Sequence, residues 1–489
     1  MKFDYDLIII GSGPAGFSAA MQATKLEKKV LLVEADSKNL GGSWINTGTV
    51  PSKALREAAS IINKHTSLFG EIDGLKSWEK FKMTDLLKYK DMVVDHENSE
   101  LKRNLIKNEI DTARGFGKLK DEHTVEVTDH LGNIKQYTTH YILIATGSSQ
   151  LEPKTFKVDD RVIIDSYSIA KMTHIPRRVS IVGAGVSAIE FATIFASLGS
   201  KVTILNPDNT YLSFLDNEIK NEFDRALEKY RIVMFKNVKI QGIEKNALRN
   251  RTEIRFKVSE EEQLRVIETE HVIYFGGRKP NTQGLGLEAV GVTLNDDGYI
   301  IADENYKTVI DNIYAAGDAI GFPQLASASF TQGRVATCHL CGISDITPGG
   351  SHPFGIYSIP EISSVGLNEI EAKEAGYEVT IGRAYYRELT KSSVSNDTLG
   401  MMKIIVDNKN LNLLGVHVVG EAACELVHIG QVLIKKKIDV RYFIDNILNY
   451  PTYSEAYRIA TFNAINRMNK AGTKYRSILQ EKQTAEENT

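Results

Sequence analysis

A doubly wound α/β architecture with a separate α+β unit at the C-terminal end follows from three features of this sequence. The first two are copies of one pattern. Leu7–Ile10 forms a continuous apolar strand, followed by Gly11-Ser12-Gly13-Pro14-Ala15-Gly16, a helix-like run from Phe17 to Leu26 and a second strand at Val30–Val33. Val179–Val182 repeats it, with Gly183-Ala184-Gly185-Val186-Ser187-Ala188, a helix-like run from Ile189 to Leu198 and a strand at Lys201–Leu205. Alone, a G-x-G-x-x-G string is a weak signal. Set twice between an apolar strand and a helix it is a strong one, and it predicts two Rossmann-like dinucleotide-binding units. The third feature is a change of pattern from about residue 350, where strands are expected near Gly355–Ile359, Met401–Val406 and Leu413–Val419, with helices after them.

The intervening elements are read in the same way. Residues 54–110 read as long polar helices. Residues 111–145 read as short strands with a hairpin signal at Asp129-His130-Leu131-Gly132-Asn133, and Ile142-Leu143-Ile144 is a buried strand ending at Ala145-Thr146-Gly147. The expected organisation is a first nucleotide-binding domain over 1–150, a second inserted over 151–275, a return to the first over 276–350, and the α+β unit over 351–470. Residues 471–489 are rich in Lys and Glu and read as a disordered tail.

Composition excludes several function classes. Of the 489 residues, 42% are hydrophobic and 25% charged, as in an ordinary soluble enzyme, and the net charge of −3 implies no nucleic-acid surface. Lys435-Lys436-Lys437 reads as a solvated helix face. The three cysteines, Cys338, Cys341 and Cys424, fit a reducing compartment and not a disulfide framework. Cys338 and Cys341 have C-x-x-C spacing, but a zinc site wants about four ligands and no second pair exists. The apolar run at Leu7–Ile10 is too short for a signal sequence, and no segment approaches the roughly 20 apolar residues that span a bilayer. The cytoplasm is the expected location.

In the first unit, Gly11, Gly13 and Gly16 make the tight turn that sets a pyrophosphate against a helix N-terminus, where N–H groups and the helix dipole favour anions. Glu34 ends the second strand about 20 residues on, where an acid accepts hydrogen bonds from ribose hydroxyls. In the second unit, Gly183, Gly185 and Ala188 give the variant with Ala at the third position, and the ribose-reading position falls at Asn206. An amide can bond a 2′-hydroxyl and does not repel a 2′-phosphate, whereas Asp208 disfavours that phosphate if it points inward. NADH with some tolerance of NADPH is therefore expected. Arg278 and Lys279 either help bind phosphate or belong to a solvated turn.

The segment Gly41-Gly42-Ser43-Trp44-Ile45-Asn46-Thr47-Gly48-Thr49-Val50-Pro51-Ser52-Lys53 resembles the redox-disulfide helix of the flavoprotein disulfide reductases, with Trp44 and Thr49 where that family carries its two cysteines. Tyr314-Ala315-Ala316-Gly317-Asp318 resembles the family's second FAD motif, and Ala145-Thr146-Gly147 its return from the FAD domain. The resemblance implies FAD at the first site, with Gly42, Ser43, Gly115, Thr146, Gly147, Gly317, Asp318 and Ala326 among its binding residues. It implies NAD(P) at the second site, with Gly277 near the nicotinamide end. Lys53 falls where the family places a Lys beside flavin N5, paired with a Glu that here is Glu190. Asn449-Tyr450-Pro451-Thr452-Tyr453-Ser454-Glu455 resembles the His-Pro-Thr…Glu motif supplied across the family's dimer interface, with Tyr450 in place of the His and Glu455 retained. A homodimer is implied, and 351–470 becomes a dimerisation domain.

Dithiol and His are thus replaced together, and a Tyr of pKa near 10 is a poor acid–base group at neutral pH. Ile356-Tyr357-Ser358-Ile359-Pro360-Glu361 and Ile320–Ala328 further resemble the soluble, si-specific pyridine nucleotide transhydrogenase branch of the family. That resemblance covers roughly residues 4–468 by inspection. The expected function is FAD-dependent hydride transfer between pyridine nucleotides without a redox disulfide. The alternatives are an NAD(P)H dehydrogenase that passes electrons to a quinone or another acceptor, and a flavin-loaded subunit without catalysis. Thr49, beneath the flavin, offers a hydroxyl in place of a thiolate, and Trp44 either gates the former disulfide channel or fills it.

Overall fold

Each glycine-rich turn lies where sequence places it, between a buried strand and the start of a helix. The computed structural model describes residues 2–36, 40–72, 75–76, 81–246, 251–259, 263–343 and 352–470. The expected tail and the expected boundary at 350/351 lie outside the described residues. In the first unit β1 (Tyr5–Ile10) is followed by α1 (Pro14–Lys25) and β2 (Val30–Glu34). The helix begins three residues earlier than the apolar pattern suggested, because Pro14 sits in the first turn, where no N–H is needed.

Strands β1 and β2 pair in parallel, with Ile9 opposite Leu32 on one side and Leu143 of the strand Ile134–Ile144 on the other. Asp111–Arg114 and Ile313–Ala315 extend this parallel core, and the antiparallel strands Phe116–Asp121 and Thr124–Thr128 complete a seven-stranded sheet. The turn between Thr124–Thr128 and Ile134–Ile144 falls at the hairpin signal, where Asp129 accepts from the backbone of Leu131 and Asn133. The second unit is a five-stranded parallel sheet in the order Ile163–Ile164, His271–Tyr274, Arg178–Val182, Lys201–Leu205, Val233–Phe235. The third is an antiparallel five-stranded sheet, Phe354–Ile356, Glu361–Gly366, Leu413–Gly420, Met401–Asp407 and Val379–Tyr385, covered by the helices Ala423–Lys436 and Glu455–Lys470.

The region read as polar helices contains α2 (Gly42–Asn46), α3 (Thr49–Phe69) and the helix Met83–Lys107, with a short pair of strands, Glu71–Ile72 and Leu75–Lys76, between the long helices. Helix α3 is not polar all round. Leu55, Ala59 and Ile62 enter a core shared with Phe191 and Phe195 of the second unit and with Ile359, Ile362 and Val419 of the third. One apolar core therefore joins helix α3 of the first unit to the second and third sheets. Helix Ala326–Leu340 crosses α1 at backbone contact, since a Cβ on Gly333 would lie 2.0 Å from the Ala15 carbonyl oxygen.

Charge joins the second and third units as well. Lys403, 2% exposed, donates to Asp216 (2.9 Å), Glu218 (2.8 Å) and Glu369 (3.1 Å). Asp216 caps the helix Asn217–Lys229 through the Glu218 N–H, and Arg383 forks onto Glu218. The hydrogen bonds from Arg383, followed by those from Lys403, pull the Glu218 carboxyl down to about 2 against the desolvation that raises it.

A carboxyl depressed in the folded state stabilises above its unfolded pKa of about 4.3 and loses that contribution as pH falls towards 2. Replacing Lys403 by Met removes the buried cation shared by three carboxylates, of which Glu218 keeps Arg383 and Glu369 keeps Lys373, and should cost about 3 kcal/mol at pH 7. Thermal unfolding of both proteins between pH 7 and pH 3 checks this: the gap in midpoint is expected to be widest at neutral pH and to narrow below about pH 4.3. A gap independent of pH would show that Lys403 acts by packing alone.

Candidate functional site

The two glycine turns are built alike, and the role of each glycine can be read from what surrounds it. Gly11 has φ +106° and a Cβ there would lie 2.3 Å from the Ala145 carbonyl oxygen; Gly183 has φ +108° and the same distance to the Phe275 carbonyl oxygen. Both are required by strand crossing and by the backbone itself. Gly16 has the same close-packing role, with its Cβ 1.9 Å from the Gly11 oxygen, and Ala188 is fully buried at the equivalent place in the second unit.

Gly13 and Gly185 are different. Their φ values, −63° and −73°, suit any residue, and no protein atom lies within 4 Å of the Cβ that either could carry. Neither fold nor packing demands glycine there, so the room is for something that is not protein. Both residues also precede helices whose first N–H groups have no side-chain cap, as does Leu325 before Ala326–Leu340. Uncapped N–H groups at such a turn are an anion cradle.

Around the first cradle the expected residues converge. A Cβ on Gly42 would lie 3.4 Å from Gly13 Cα, and one on Gly317 (φ +78°) would lie 3.2 Å from Ala15 Cβ. Ser12 Oγ accepts from Gly41 N at 2.7 Å, and Ser43 accepts from Gly48 N at 2.6 Å, which folds the α2–α3 corner over the turn. Glu34 is buried and accepts from Ser12 and Asp36; its carbonyl accepts from Gly115 N at 2.8 Å. The hydroxyl of Thr146 is buried without a hydrogen-bond partner, and Gly147 follows at φ +70°. A buried orphan hydroxyl beside an open glycine is what a polar ligand would satisfy. These residues fit FAD.

Asp318 accepts from Ser148 Oγ at 2.6 Å. Arg278, weighed as a phosphate ligand of the second site, instead turns to the first: its Nε donates to Ser148 Oγ at 2.7 Å and lies 3.7 Å from Asp318. Lys279 is exposed. Asn206 is 1% exposed, and both ends of its amide are engaged within its own loop, donating to the Thr210 carbonyl at 2.9 Å and accepting from Asp208 N at 3.1 Å. Its side chain braces that loop. Gly277, φ +96°, has its carbonyl bonded by Leu151 N, and Tyr274 folds its hydroxyl over neighbouring Gly276.

Between the two cradles Lys53 of α3 meets Glu190 of the helix Val186–Ser197. The ammonium donates to both carboxylate oxygens, at 3.0 and 2.8 Å, and Glu190 is 4% exposed. Tyr357 completes this group, with its N–H on Glu190 Oε1 at 2.9 Å and its ring face 4.9 Å from the Lys53 ammonium. Burial, followed by neighbouring acidic groups that include Glu361, Glu425 and Glu190, pushes the Tyr357 phenol up to about 12, so it is neutral at pH 7. Sequence reading gave Tyr357 no role, because no periodicity reports that a turn of the third sheet reaches α3.

Thr49 opens α3, one turn before Lys53. Trp44 packs between Phe17 of α1 and Phe330, with ring centroids 5.9 and 4.9 Å away. Tyr450 is 67% exposed and shares a hydrogen bond with Thr390; Glu455 lies 3.9 Å from Arg458. These contacts of Tyr450 and Glu455 stay within the C-terminal unit. Cys338 is buried in the helix Ala326–Leu340 and Cys341 follows it; both are free, and burial pushes both thiols up. Among the described residues no group of three or more His, Cys, Asp or Glu could hold a metal, and no helix is long and apolar enough to cross a membrane.

A double cradle with a Lys–Glu pair between defines an oxidoreductase that juxtaposes a flavin and a pyridine nucleotide. The chain belongs to the pyridine nucleotide-disulphide oxidoreductase family, whose model matches residues 5–333, and that family's dimerisation domain matches residues 352–461. Members use FAD and NAD(P)H. The chain is 37% identical over 471 residues to the soluble pyridine nucleotide transhydrogenase of Pseudomonas aeruginosa (strain LESB58), covering 95% of this chain and 99% of that one. It is 36% identical over 468 residues to the protein of the same name from Mycobacterium bovis (strain BCG / Pasteur 1173P2), covering 95% and 98%. Among solved structures, the HOCl-induced flavoprotein disulfide reductase RclA of Escherichia coli matches with a TM-score of 0.81 at 25% identity, over 93% of this chain and 98% of that one. LpdA of Mycobacterium tuberculosis shares the fold with a TM-score of 0.85, at 23% identity, over 94% and 99%.

The glycines make opposing predictions. Gly13→Val should leave secondary structure by circular dichroism unchanged while flavin retention, read from absorbance of the purified protein, falls at least about tenfold. Gly11→Ala should lose both, since its methyl meets a backbone oxygen. Full flavin content in Gly13→Val would remove the first cradle from cofactor binding.

Proposed function

We propose that this protein transfers hydride between pyridine nucleotides through bound FAD, with no thiol step. One observation carries the reading: the Lys53–Glu190 pair is intact beside a corner that has Trp44 and Thr49 where a dithiol would be needed for disulfide exchange. The two transhydrogenases it is similar to support the same assignment. FAD, held by Gly11, Gly13, Gly16, Glu34, Gly42, Ser43, Gly115, Thr146, Gly147, Gly317, Asp318 and Ala326, supplies the hydride chemistry when bound.

The chain's own residues orient and shield. Gly183, Gly185 and Ala188 seat the pyrophosphate of the nucleotide at the N-terminus of Val186–Ser197, and Gly277 lies by its nicotinamide end. Lys53 holds a fixed positive charge where negative charge develops, and Glu190 keeps that ammonium in place. Trp44, between Phe17 and Phe330, occupies the side on which a disulfide substrate would approach. With that side closed, one nucleotide leaves and a second binds at the same face. Asn206, uncharged, does not repel a 2′-phosphate, so NADH serves as donor with NADPH tolerated. Two copies form the working unit, in which exposed Tyr450, with Glu455, faces the partner; Tyr450 adds no acid–base group at neutral pH. The domains run 1–150 with 276–350, 151–275 and 351–470, and the cytoplasm supplies both nucleotides.

An anaerobic assay with NADH or NADPH as donor and thio-NAD+ as acceptor, beside a parallel well holding a soluble quinone, tests the reading. Rapid thio-NAD+ reduction is expected. Quinone turnover well above it would make this a dehydrogenase, and failure of NADH to bleach the flavin would make it a non-catalytic flavin-loaded subunit. Glu190→Gln should slow flavin reduction by at least about tenfold, since Lys53 loses its anchor; an unchanged stopped-flow rate would remove Glu190 from the mechanism.

A further inference from the structure

The turn Ile356–Glu361 of the third sheet is stitched to both helices that carry the ion pair. Towards the helix Val186–Ser197, Tyr357 N–H donates to Glu190 at 2.9 Å and Ile359 N–H donates to Thr193 Oγ1 at 3.0 Å. Glu190 and Thr193 stand one turn apart on one helix face, so the two bonds fix that face against the turn. Towards α3, Arg56 reaches the Ser358 carbonyl at 3.5 Å and pairs with Glu361 at 3.0 Å. Arg56 follows Lys53 by one helical turn. The backbone of Tyr357 is thus held between the two helices.

The Tyr357 ring lies across the Lys53 ammonium. The ring centroid lies 4.9 Å from Nζ, and a Cβ on Gly355 would lie 3.6 Å from the ring and 3.1 Å from Cys424 Sγ. A side chain at 355 would crowd that sulfur beside the ring. The Lys53 side chain remains 29% exposed even so. A π face within about 6 Å of an ammonium attracts it and takes the place of water. Without that face, Lys53 keeps Glu190 but has an open side onto which it can swing.

We infer that Tyr357 is a positioning residue for Lys53: its ring and its backbone N–H together hold the Lys53–Glu190 pair in register, so that the dimerisation unit sets the placement of the cation at the flavin site. The inference rests on the reading of Lys53 as a flavin-facing group, but its first consequence concerns Lys53 alone. The ring, not the hydroxyl, does the holding. Phenylalanine serves equally, and an aliphatic side chain or an aromatic ring drained of π density does not.

The test uses the full-length dimer with and without flavin, and reads Lys53 directly by competitive trace acetylation followed by peptide mass analysis. Tyr357→Phe is expected to leave Lys53 labelling within about twofold of wild type, and Tyr357→Leu to raise it about fivefold or more in both flavin-loaded and flavin-free protein, the range that a contact of this kind supports. Replacing Tyr357 by tetrafluorinated phenylalanine keeps the shape and removes the π density. It should raise labelling as Leu does, which a space-filling role would not, and it decides the matter if Tyr357→Leu fails to fold. In loaded protein Tyr357→Leu should also lower the flavin midpoint potential, and should do so no further in a Lys53→Met background. Labelling unchanged in Leu and fluorinated variants overturns the inference. If flavin does not bind at all, the functional reading fails while the labelling result still stands or falls on its own.

Discussion

The ion pair between Lys53 and Glu190 is the constraint around which the molecule is arranged. It brings α3 of the first unit against the helix Val186–Ser197 of the second, and the carboxylate, 4% exposed, cannot be left without its cation. Burying a charge costs several kcal/mol, and attraction offsets that only when further hydrogen bonds satisfy the remaining lone pairs. The turn Ile356–Glu361 of the third sheet supplies them through the Tyr357 N–H. Three units of separate origin along the chain therefore meet at one pair of charges. The shared apolar core from Leu55 through Phe191 to Ile359 holds them to it.

On either side of that pair the chain makes the same cradle twice. The repetition explains why the first and third positions of each turn are structural and the second is not. Gly11 and Gly183 are fixed by carbonyl oxygens 2.3 Å from a would-be Cβ, whereas Gly13 and Gly185 border space that the chain does not fill. The pair stands between these cradles.

The change at the corner of α2 and α3 is compact in sequence and wide in consequence. Where thiols would need space and solvent, Trp44 makes aromatic contacts with Phe17 and Phe330 and packs at the edge of the apolar core that β1, β2 and α1 form. The Tyr at position 450 and the Trp at 44 lie far apart along the chain, and each is explicable alone as packing. Taken with the intact cradles they describe a protein that keeps its redox scaffold while omitting the machinery for sulfur chemistry.

Much of this was legible in the residues themselves. Alternating demands of buried parallel strands and tight turns can be written only with Val, Ile and Leu runs ending in glycine, so both βαβ units, the hairpin at Asp129–Asn133 and the strands at Met401–Asp407 and Leu413–Gly420 could be placed from local pattern. Lys53 and Glu190 were paired by motif resemblance before geometry joined them. What only tertiary structure decided were the partners of polar side chains. Asn206 turned into its own loop, Arg278 turned to Ser148 and Asp318, α3 proved amphipathic where it read as polar, and Tyr357 arrived from 304 residues beyond Lys53 to cover it. The reason is physical. Apolar periodicity and glycine conformation are short-range properties that a window of sequence contains, whereas hydrogen bonds and ion pairs are satisfied by whatever the folded chain brings within 3 Å or so, and that distance carries no trace of separation along the sequence.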